Sequence, residues 1–270
     1  MEIDNTLLLA LLPNVATQFR SALGNIHLAS AALISPEERE EHPELDAKAA
    51  LLDQSYYQML RLVNNLSATA YLLHSAPLPL QDRDLVELIQ TQCEKTEALA
   101  ELMGIELRFS CALPTQICAV NGEAMEQLLF QLLSNALKFT PAGGSVTVEL
   151  RLAGERVLLS VIDTGCGIDE DLLPTLFDRY LHRELMSPQP HGLGLGLTLC
   201  RHIAQGHGGT MMAESKAGVG SRVTLAIPNR KVGISGLSDV AFDYAGGFNT
   251  TLLALADALP REAFLQKNQD

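Results

Sequence analysis

Basic residues are scarce in this sequence. Its 270 residues contain 19 Lys and Arg against 32 Asp and Glu, a formal net charge of −13. Binding to the phosphate backbone of DNA or RNA needs clustered Lys and Arg, so nucleic acid is not expected as a partner. An anionic ligand is also repelled at long range, and a site for one must rely on backbone N–H groups and a bound cation.

Long apolar runs and paired cysteines are absent as well. No window approaches the roughly 18 apolar residues of a membrane span, and the N-terminus lacks the basic stretch and cleavage site of a secretory signal. The cysteines are odd in number and include no CxxC pair, which argues against a disulfide framework and a zinc site. We therefore expect a soluble, cytoplasmic protein with reduced thiols and no direct membrane span.

Apolar residues at helical spacing predict an N-terminal helical hairpin over residues 1–75. The first helix runs over 4–34 and stops at Ser35-Pro36, and the second runs over 45–73. Two such helices cannot bury their apolar faces against each other alone, so we expect a homodimer in which two hairpins form a four-helix bundle. A monomer whose hairpin packs on its own second domain is the alternative.

Residues 76–83 contain two prolines and predict a linker. Residues 84–230 then mix helices with β-branched strands, which predicts an α/β sandwich with a helical layer on a mixed sheet. The overall fold class is thus α+β, a helical hairpin followed by a sandwich. Residues 231–270 predict a C-terminal extension with one further helix. The predicted helices cover 85–103 and 125–137, and the predicted strands cover 105–110, 145–152, 156–162 and 221–227.

Three polar residues share one edge of the helix over 125–137. Gln131, Asn135 and Lys138 stand at i, i+4 and i+7. An Asn amide oxygen can coordinate Mg²⁺, and a Lys ammonium can meet phosphate oxygens. A solvated helix face is the plainer alternative for such a trio.

Two glycine-containing segments follow. Asp163-Thr164-Gly165-Cys166-Gly167-Ile168 comes where an apolar strand ends, and its carboxylate could accept a hydrogen bond from an exocyclic amine such as that of adenine. Residues 192–197 place three glycines before a helix, whose N-terminal N–H groups suit phosphates. This loop has neither the GK[ST] ending of a P-loop nor the strand–helix–strand context of a dinucleotide fold. A simple Asp/Gly turn and a chance glycine loop remain the alternatives.

Taken together, the segments resemble the histidine-kinase ATPase family, whose Bergerat fold (also called GHKL) is shared with gyrase, MutL and the heat-shock chaperone ATPases. LLSNALKFTP (132–141) is similar to the N box, DTGCGI (163–168) to the G1 box, LFDRY (176–180) to the F box and HGLGLGL (191–197) to the G2 box. GHGG (206–209) and GVGSRVTLAIP (218–228) are similar to the closing segment. The resemblance covers almost all of residues 84–228.

The resemblance implies a site for ATP and Mg²⁺. It assigns Mg²⁺ to Asn135, a phosphate to Lys138, the adenine amine to Asp163, and the anchoring of a lid to Phe177. His182 and Arg183 would be the γ-phosphate contacts of that lid. The remaining implied nucleotide-binding positions are Gly165, Gly167, Ile168, Gly192, Leu193, Gly194, Gly196, Leu197 and Ser221.

Two departures from the family pattern bear on the chemistry. Gln131 stands where hydrolytic relatives have Glu, so a carboxylate base for activating water is missing. Residues 14–23 align with the frame that carries the phosphorylated histidine, and the acceptor position is Thr17, followed by Gln18 in place of an acid. A threonine hydroxyl needs a base, which Gln18 cannot provide. His27 lies ten residues further on, about 15 Å along the helix, and is not a simple substitute.

The resemblance therefore implies an ATP-binding protein of two-component signalling that is a degenerate kinase, or pseudokinase. Its output to a response-regulator receiver domain or a partner kinase would be conformational or scaffolding. The alternative is an active kinase that transfers the γ-phosphate to a hydroxyl, on Thr17 or on a partner protein. Vestigial nucleotide binding is a third possibility. Topoisomerase or mismatch-repair activity is disfavoured, because only about 40 residues follow the ATPase-like region.

Overall fold

The computed structural model describes residues 5–74, 78–177, 194–234 and 249–268. The chain divides into two compact units. One contains Met1–Ser75 with Gly247–Asp270, and the other contains Ala76–Gly246. Among the described residues, no helix combines the length and apolar character that a membrane crossing requires.

The first unit is built on an antiparallel helical hairpin. It contains α1 (Asn5–Leu33), α2 (Pro36–Glu41) and α3 (Pro43–His74). Arg20 of α1 bonds to Asn64 and Ser67 late in α3, whereas His27 stacks on Tyr56. The short α2 was not predicted. It starts at Ser35, whose hydroxyl accepts from Glu38 N at 3.2 Å while the Glu38 carboxylate accepts from Ser35 N at 2.9 Å, a capping box.

The end of the chain belongs to the hairpin unit. Helix α7 (Thr250–Leu255) and two 3₁₀ turns (Arg261–Phe264 and Gln266–Asn268) pack on α3 and α2. Residues 231–234 stay with the second unit, where the Asp82 carboxylate accepts from Val232 N and Gly233 N. The single extension expected over 231–270 is therefore divided between the two units. The apolar side chains of α7 and the turns require a partner surface, and α3 supplies it.

The second unit is an α/β sandwich. Its main sheet has the strand order β2-β4-β5-β7-β6, with β2 parallel to β4 and the other pairs antiparallel. Helix α5 packs against β4 and β5, and α6 packs against β6 and β7. The elements are β1 (Gln81–Asp84), α4 (Leu85–Leu102), β2 (Glu106–Cys111), β3 (Ile117–Val120), α5 (Gly122–Phe139), β4 (Ser145–Ala153), β5 (Arg156–Asp163), α6 (Leu195–Gly206), β6 (Thr210–Lys216) and β7 (Gly220–Pro228). The predicted fold class, α+β with a helical hairpin followed by an α/β sandwich, is confirmed.

Three strands lay outside the sequence prediction. β1 and β3 form a separate antiparallel pair, from Gln81 opposite Val120 to Asp84 opposite Ile117, and β6 lies at the sheet edge beside β7. β1 starts inside the segment expected to be a linker, so the second unit begins before residue 84. It carries three charged residues in four and has no apolar alternation. Its strand conformation comes from long-range pairing rather than from local propensity.

Candidate functional site

Helix α5 fixes the direction of the polar trio. Its apolar stripe is buried in the sandwich core, Leu128, Leu133 and Leu137 being fully inaccessible. Asn135 and Lys138 are half-buried at the edge of this stripe, whereas Gln131 is buried. The helix begins at Asn121, whose side chain accepts from Ala124 N at 2.9 Å. The trio therefore does not form one solvated face, because Gln131 points into the protein.

His207 ties the end of α6 to the start of α5. Its Nε2 accepts a hydrogen bond from Asn121 N at 3.0 Å, and its Nδ1 lies 2.7 Å from Ile203 O. Because a carbonyl only accepts, the proton must be on Nδ1, and the imidazole is neutral. Burial lowers the pKa of His207, and the bond to Ile203 opposes that shift only in part. The GHGG segment thus positions α5, a role that sequence reasoning missed.

Asp163 is the last residue of β5, and only one oxygen of its carboxylate accepts hydrogen bonds from the described residues. Oδ1 accepts from Gly165 N at 2.9 Å and from Ser221 N at 3.2 Å. Among the residues that the structure describes, none donates to Oδ2, which is left for another donor. Burial raises the pKa of Asp163, while the two backbone bonds lower it by less. Ser221 thus reaches Asp163 through its backbone N–H.

The two glycines after Asp163 are required by close approach. A Cβ on Gly165 would collide with Phe139 O and lie 2.9 Å from Asp163 Oδ1. Gly167 has a φ of +71°, and a Cβ there would collide with Lys216 O. The next residue, Ile168, donates its N–H to Ser215 Oγ at 2.8 Å. The turn is therefore locked onto the end of α5 on one side and onto β6 on the other.

A cleft of about 510 Å³ opens beside this turn. Phe139 contributes a ring that is 41% exposed, and Lys138 Nζ stands 5.8 Å from the centre of that ring. An exposed ring beside a cation offers a stacking surface for a planar base. The lining residues are Lys138, Phe139, Thr140, Pro141, Thr164, Gly165, Cys166 and Gly218. Only Lys138 and Gly165 of these were predicted. The only sequence signal for Phe139 was its position directly after Lys138.

The start of α6 adjoins α5. Gly194 precedes the helix with a φ of +69°, and a Cβ on Gly196 would lie 2.8 Å from Gln131 Oε1. Leu197 is half-buried in the first turn. Thr198 is 5% exposed, and its hydroxyl has no hydrogen-bond partner within the described part of the chain. Free N–H groups of a helix N-terminus and an unpaired hydroxyl both suit phosphate oxygens.

Some predicted residues lie elsewhere. His182, Arg183, Gly192 and Leu193 fall outside the described residues. Phe177 is half-buried just after the 3₁₀ helix Glu170–Thr175. Thr17 and Gln18 belong to the first unit, where both are exposed on α1.

The sequence is similar to a known ATPase family and to bacterial sensor kinases. Residues 121–231 match the family described as "Histidine kinase-, DNA gyrase B-, and HSP90-like ATPase". The chain is 28% identical over 222 residues to the sensor protein KdpD of Clostridium acetobutylicum, covering 81% of this chain and 24% of that protein. It is 36% identical over 135 residues to the adaptive-response sensory kinase SasA of Synechococcus sp., covering 49% of this chain and 36% of that protein. It thus spans about a quarter of KdpD and about a third of SasA.

Solved structures agree with the sequence relatives. The crystal structure of full-length ShkA in complex with AMPPNP aligns with a TM-score of 0.66 and 25% identity, over 82% of this chain and 46% of that one. The catalytic domain of histidine kinase ThkA aligns with a TM-score of 0.50 and 25% identity, over 56% of this chain and 99% of that one. The motifs, the fold and these relatives together show that residues 121–231 carry an ATPase domain of the GHKL histidine-kinase family and that the chain is homologous to sensor histidine kinases.

Proposed function

We propose that this chain binds Mg²⁺·ATP and acts in two-component signalling as a kinase-like protein that does not phosphorylate itself on histidine. Two observations carry the proposal: a nucleotide-type cleft, and Thr17 in the frame where the family resemblance places the acceptor histidine. Nucleotide occupancy would then bias the conformation of the protein, and its output would be conformational or scaffolding.

The base would be recognised at the Asp163 turn. Asp163 Oδ2 is the acceptor for the adenine amine, since Oδ1 is already engaged by Gly165 N and Ser221 N. Phe139 supplies the exposed ring beside it. The phosphates would meet the N-terminus of α6 and the Thr198 hydroxyl, which has no hydrogen-bond partner among the described residues. The crystal structure of ShkA was solved in complex with AMPPNP, and this supports nucleotide binding by the present chain.

Mg²⁺ fits a site of this type. The described residues contain no group of three or more His, Cys, Asp and Glu side chains able to hold a metal. Mg²⁺ commonly takes one or two protein oxygens and completes its octahedron with phosphate oxygens and water. The half-buried Asn135 amide supplies one such oxygen, and Lys138 would meet a phosphate. Bound ATP and Mg²⁺ would supply an electrophilic γ-phosphate.

The residues at the family's catalytic and acceptor positions have side chains that are poor catalysts. Gln131 is buried against Gly196 and has no basic group for activating water. Thr17 is followed by Gln18, which cannot remove its proton. His27 is poorly suited to accept a phosphate, because its ring is engaged in the hairpin. The ring stacks on Tyr56 with centroids 4.5 Å apart, and Nδ1 lies 3.7 Å from Asp53 Oδ1.

Labelling with γ-³²P-ATP tests the proposal. We expect no acid-labile, base-stable phosphate on the protein, while calorimetry shows ATP binding that Asp163→Ala removes. Acid-labile phosphate would contradict the proposal, because phosphohistidine has that stability. Acid-stable phosphate that Thr17→Ala removes would instead support transfer to a hydroxyl. Absence of any binding heat with the parent chain in Mg²⁺, unchanged in Asp163→Ala, would indicate that nucleotide binding is vestigial.

The hairpin has an exposed apolar stripe that supports a homodimer. Phe19 and Ile26 are 56% and 60% exposed and precede Arg20 and His27, which face α3. On α3, Leu52 is 53% exposed and precedes Asp53, which faces α1. In two antiparallel helices, the residues that directly precede those facing the other helix lie on the same side of the pair. Phe19, Ile26 and Leu52 therefore share one side of the hairpin. The stripe also includes Val15, Leu33, Met59 and Leu62. A second hairpin would bury it in a four-helix bundle.

Ile26→Glu should dissociate this dimer. Each copy would place an unpaired carboxylate in an apolar interface. The cost exceeds the roughly 1–3 kcal/mol of a buried, unbonded neutral polar group, because the carboxylate is charged. The matched control is Leu28→Glu, because Leu28 is 67% exposed and lies about 200° around the helix from Ile26. Light scattering after size exclusion should find Ile26→Glu monomeric and Leu28→Glu dimeric. A monomeric parent chain would exclude the homodimer. A receiver domain or partner kinase would engage other surfaces of the hairpin.

A further inference from the structure

The C-terminal segment, residues 249–268, fills a groove on the hairpin. Most of its apolar side chains are buried, and the Phe264 ring lies 5.5 Å from that of Tyr57. Among the buried residues are Leu252, Leu255, Leu259, Ala263 and Phe264. The segment is not one long helix but a six-residue helix followed by two 3₁₀ turns. Its order therefore depends on the groove, since helices this short are marginal in isolation.

The groove recognises main-chain atoms of the segment. Three hairpin side chains donate to its carbonyl oxygens: Arg39 Nη2 to Phe264 O at 2.9 Å, Gln54 Nε2 to Leu259 O at 3.0 Å, and Gln58 Nε2 to Ala256 O at 3.2 Å. These carbonyls lie at the ends of short helical turns, where no intrahelical N–H reaches them. Another short helical segment with the same apolar spacing would satisfy the same donors.

The principal donor is oriented by the hairpin itself. Arg39 is buried, with Nε 2.9 Å from Asp46 Oδ1 and Nη1 2.8 Å from Asp53 Oδ2. These two carboxylates aim its remaining nitrogen at the segment and neutralise its charge without help from the segment. Arg61 adds an ion pair with Asp257 of the segment at 3.6 Å. The groove is thus preorganised to receive a ligand.

The groove and the apolar stripe occupy opposite sides of the hairpin. On α3 the stripe residue Leu52 precedes Asp53, which faces α1, whereas Gln54 follows Asp53 and contacts the segment. A second hairpin on the stripe would therefore leave the groove available for a different ligand.

We propose that this groove is a docking site for an amphipathic helical segment of a partner protein, and that the C-terminal segment occupies it in cis. The partner segment would carry apolar residues spaced like Leu252, Leu255 and Leu259 and an acidic residue opposite Arg61. A tethered segment has an effective concentration of about millimolar order, so a partner docks only when the C-terminal segment is released. This extends the partner interaction proposed above and is independent of nucleotide binding.

A synthetic, fluorescein-labelled peptide of residues 249–268 tests the proposal on the full chain. Phe264→Ala should weaken the cis contact, so the peptide should bind this variant at least about tenfold more tightly than the parent chain. Lys267→Ala is the matched control, because Lys267 is exposed in the same segment, and it should behave like the parent. Binding to none of the three proteins, or equal binding to all, would overturn the proposal. ATP affinity should be the same in all three, which separates this test from that of nucleotide binding.

Hydrogen–deuterium exchange on the unsubstituted chain gives a second test that needs no variant. Residues 249–268 should exchange at least about tenfold faster than the centre of α3, because the segment must detach before the hairpin unfolds. Exchange of both at one rate would make the segment an integral part of the fold and overturn the proposal. Protection that rises with protein concentration would assign the groove to a second copy, which also overturns occupation in cis.

Discussion

The substitution Asp163→Asn distinguishes the roles of the two carboxylate oxygens of Asp163. Oδ1 accepts from Gly165 N and Ser221 N, at 2.9 and 3.2 Å, and an amide oxygen can keep both bonds. The amide nitrogen then occupies the position of Oδ2, where the adenine amine would donate. Two donors would face each other, and the bond to the base would be lost.

The expected magnitude follows from that single bond. A hydrogen bond to a charged group contributes about 1.5–3 kcal/mol, so the affinity for ATP should fall by a factor of about 10 to 150. Stability should change little. Because burial raises the pKa of Asp163, its contribution to stability is fully present below the unfolded-state pKa of 3.8 and is lost as the pH rises through the folded-state pKa. At pH 7 the neutral amide should therefore not destabilise the fold through loss of charge.

Calorimetry with Mg²⁺·ATP and Mg²⁺·GTP checks the reasoning, with thermal melting as the control for folding. Guanine carries a carbonyl oxygen where adenine carries the amine, and the amide introduced by Asp163→Asn can donate to that oxygen. GTP affinity should therefore hold or rise while ATP affinity falls. Equal losses for both nucleotides, or unchanged ATP affinity in a folded variant, would refute the role assigned to Oδ2.

Two further variants test how the site is built. Gly165→Ala places a methyl group against Phe139 O, which should destabilise the chain by about 1–3 kcal/mol in denaturant unfolding and weaken ATP binding; unchanged stability would mean that the turn is not fixed there. His207→Gln removes the acceptor for Asn121 N and should cost about 1–3 kcal/mol at pH 7.5. Because burial lowers the pKa of His207, its contribution is fully present above the unfolded-state pKa of 6.5 and is lost as the pH falls toward the folded-state pKa. The parent should therefore lose more thermal stability than the variant between pH 7.5 and 5.5, and parallel losses would contradict this role of His207.

Local patterns in the sequence predicted much of this structure. The apolar periodicity of α1, α3 and α5 marked those helices, and β-branched runs marked β4, β5 and β7, because each element buries a face that its own residues define. The Asp163 turn was a candidate from residue chemistry, since the carboxylate can accept from an amine and glycines allow a tight turn, although a simple Asp/Gly turn was the alternative. Phe139 was missed because an aromatic residue at the end of an apolar helix is most often part of the core.

Other features depend on residues far apart in the chain. β1 is a strand only because β3 pairs with it. The orientation of His207 toward Asn121 is a consequence of how α6 packs near α5, and neither residue signals it locally. The C-terminal segment showed helical spacing, but the sequence of residues 249–268 does not predict which surface the segment packs against. Arg39 meets Phe264 across 225 positions of sequence.

Residue type and short-range spacing were enough to predict the kind of fold and the order of the nucleotide-type motifs, and the family resemblance placed Thr17 at the expected acceptor position. The tertiary structure alone decided which oxygen of Asp163 is left for a ligand, that Gln131 is buried while Asn135 stays at the edge, and that the chain's own end covers one side of the hairpin. Those outcomes are set by which surfaces meet in the folded chain, and packing between distant segments leaves no periodic trace in the sequence.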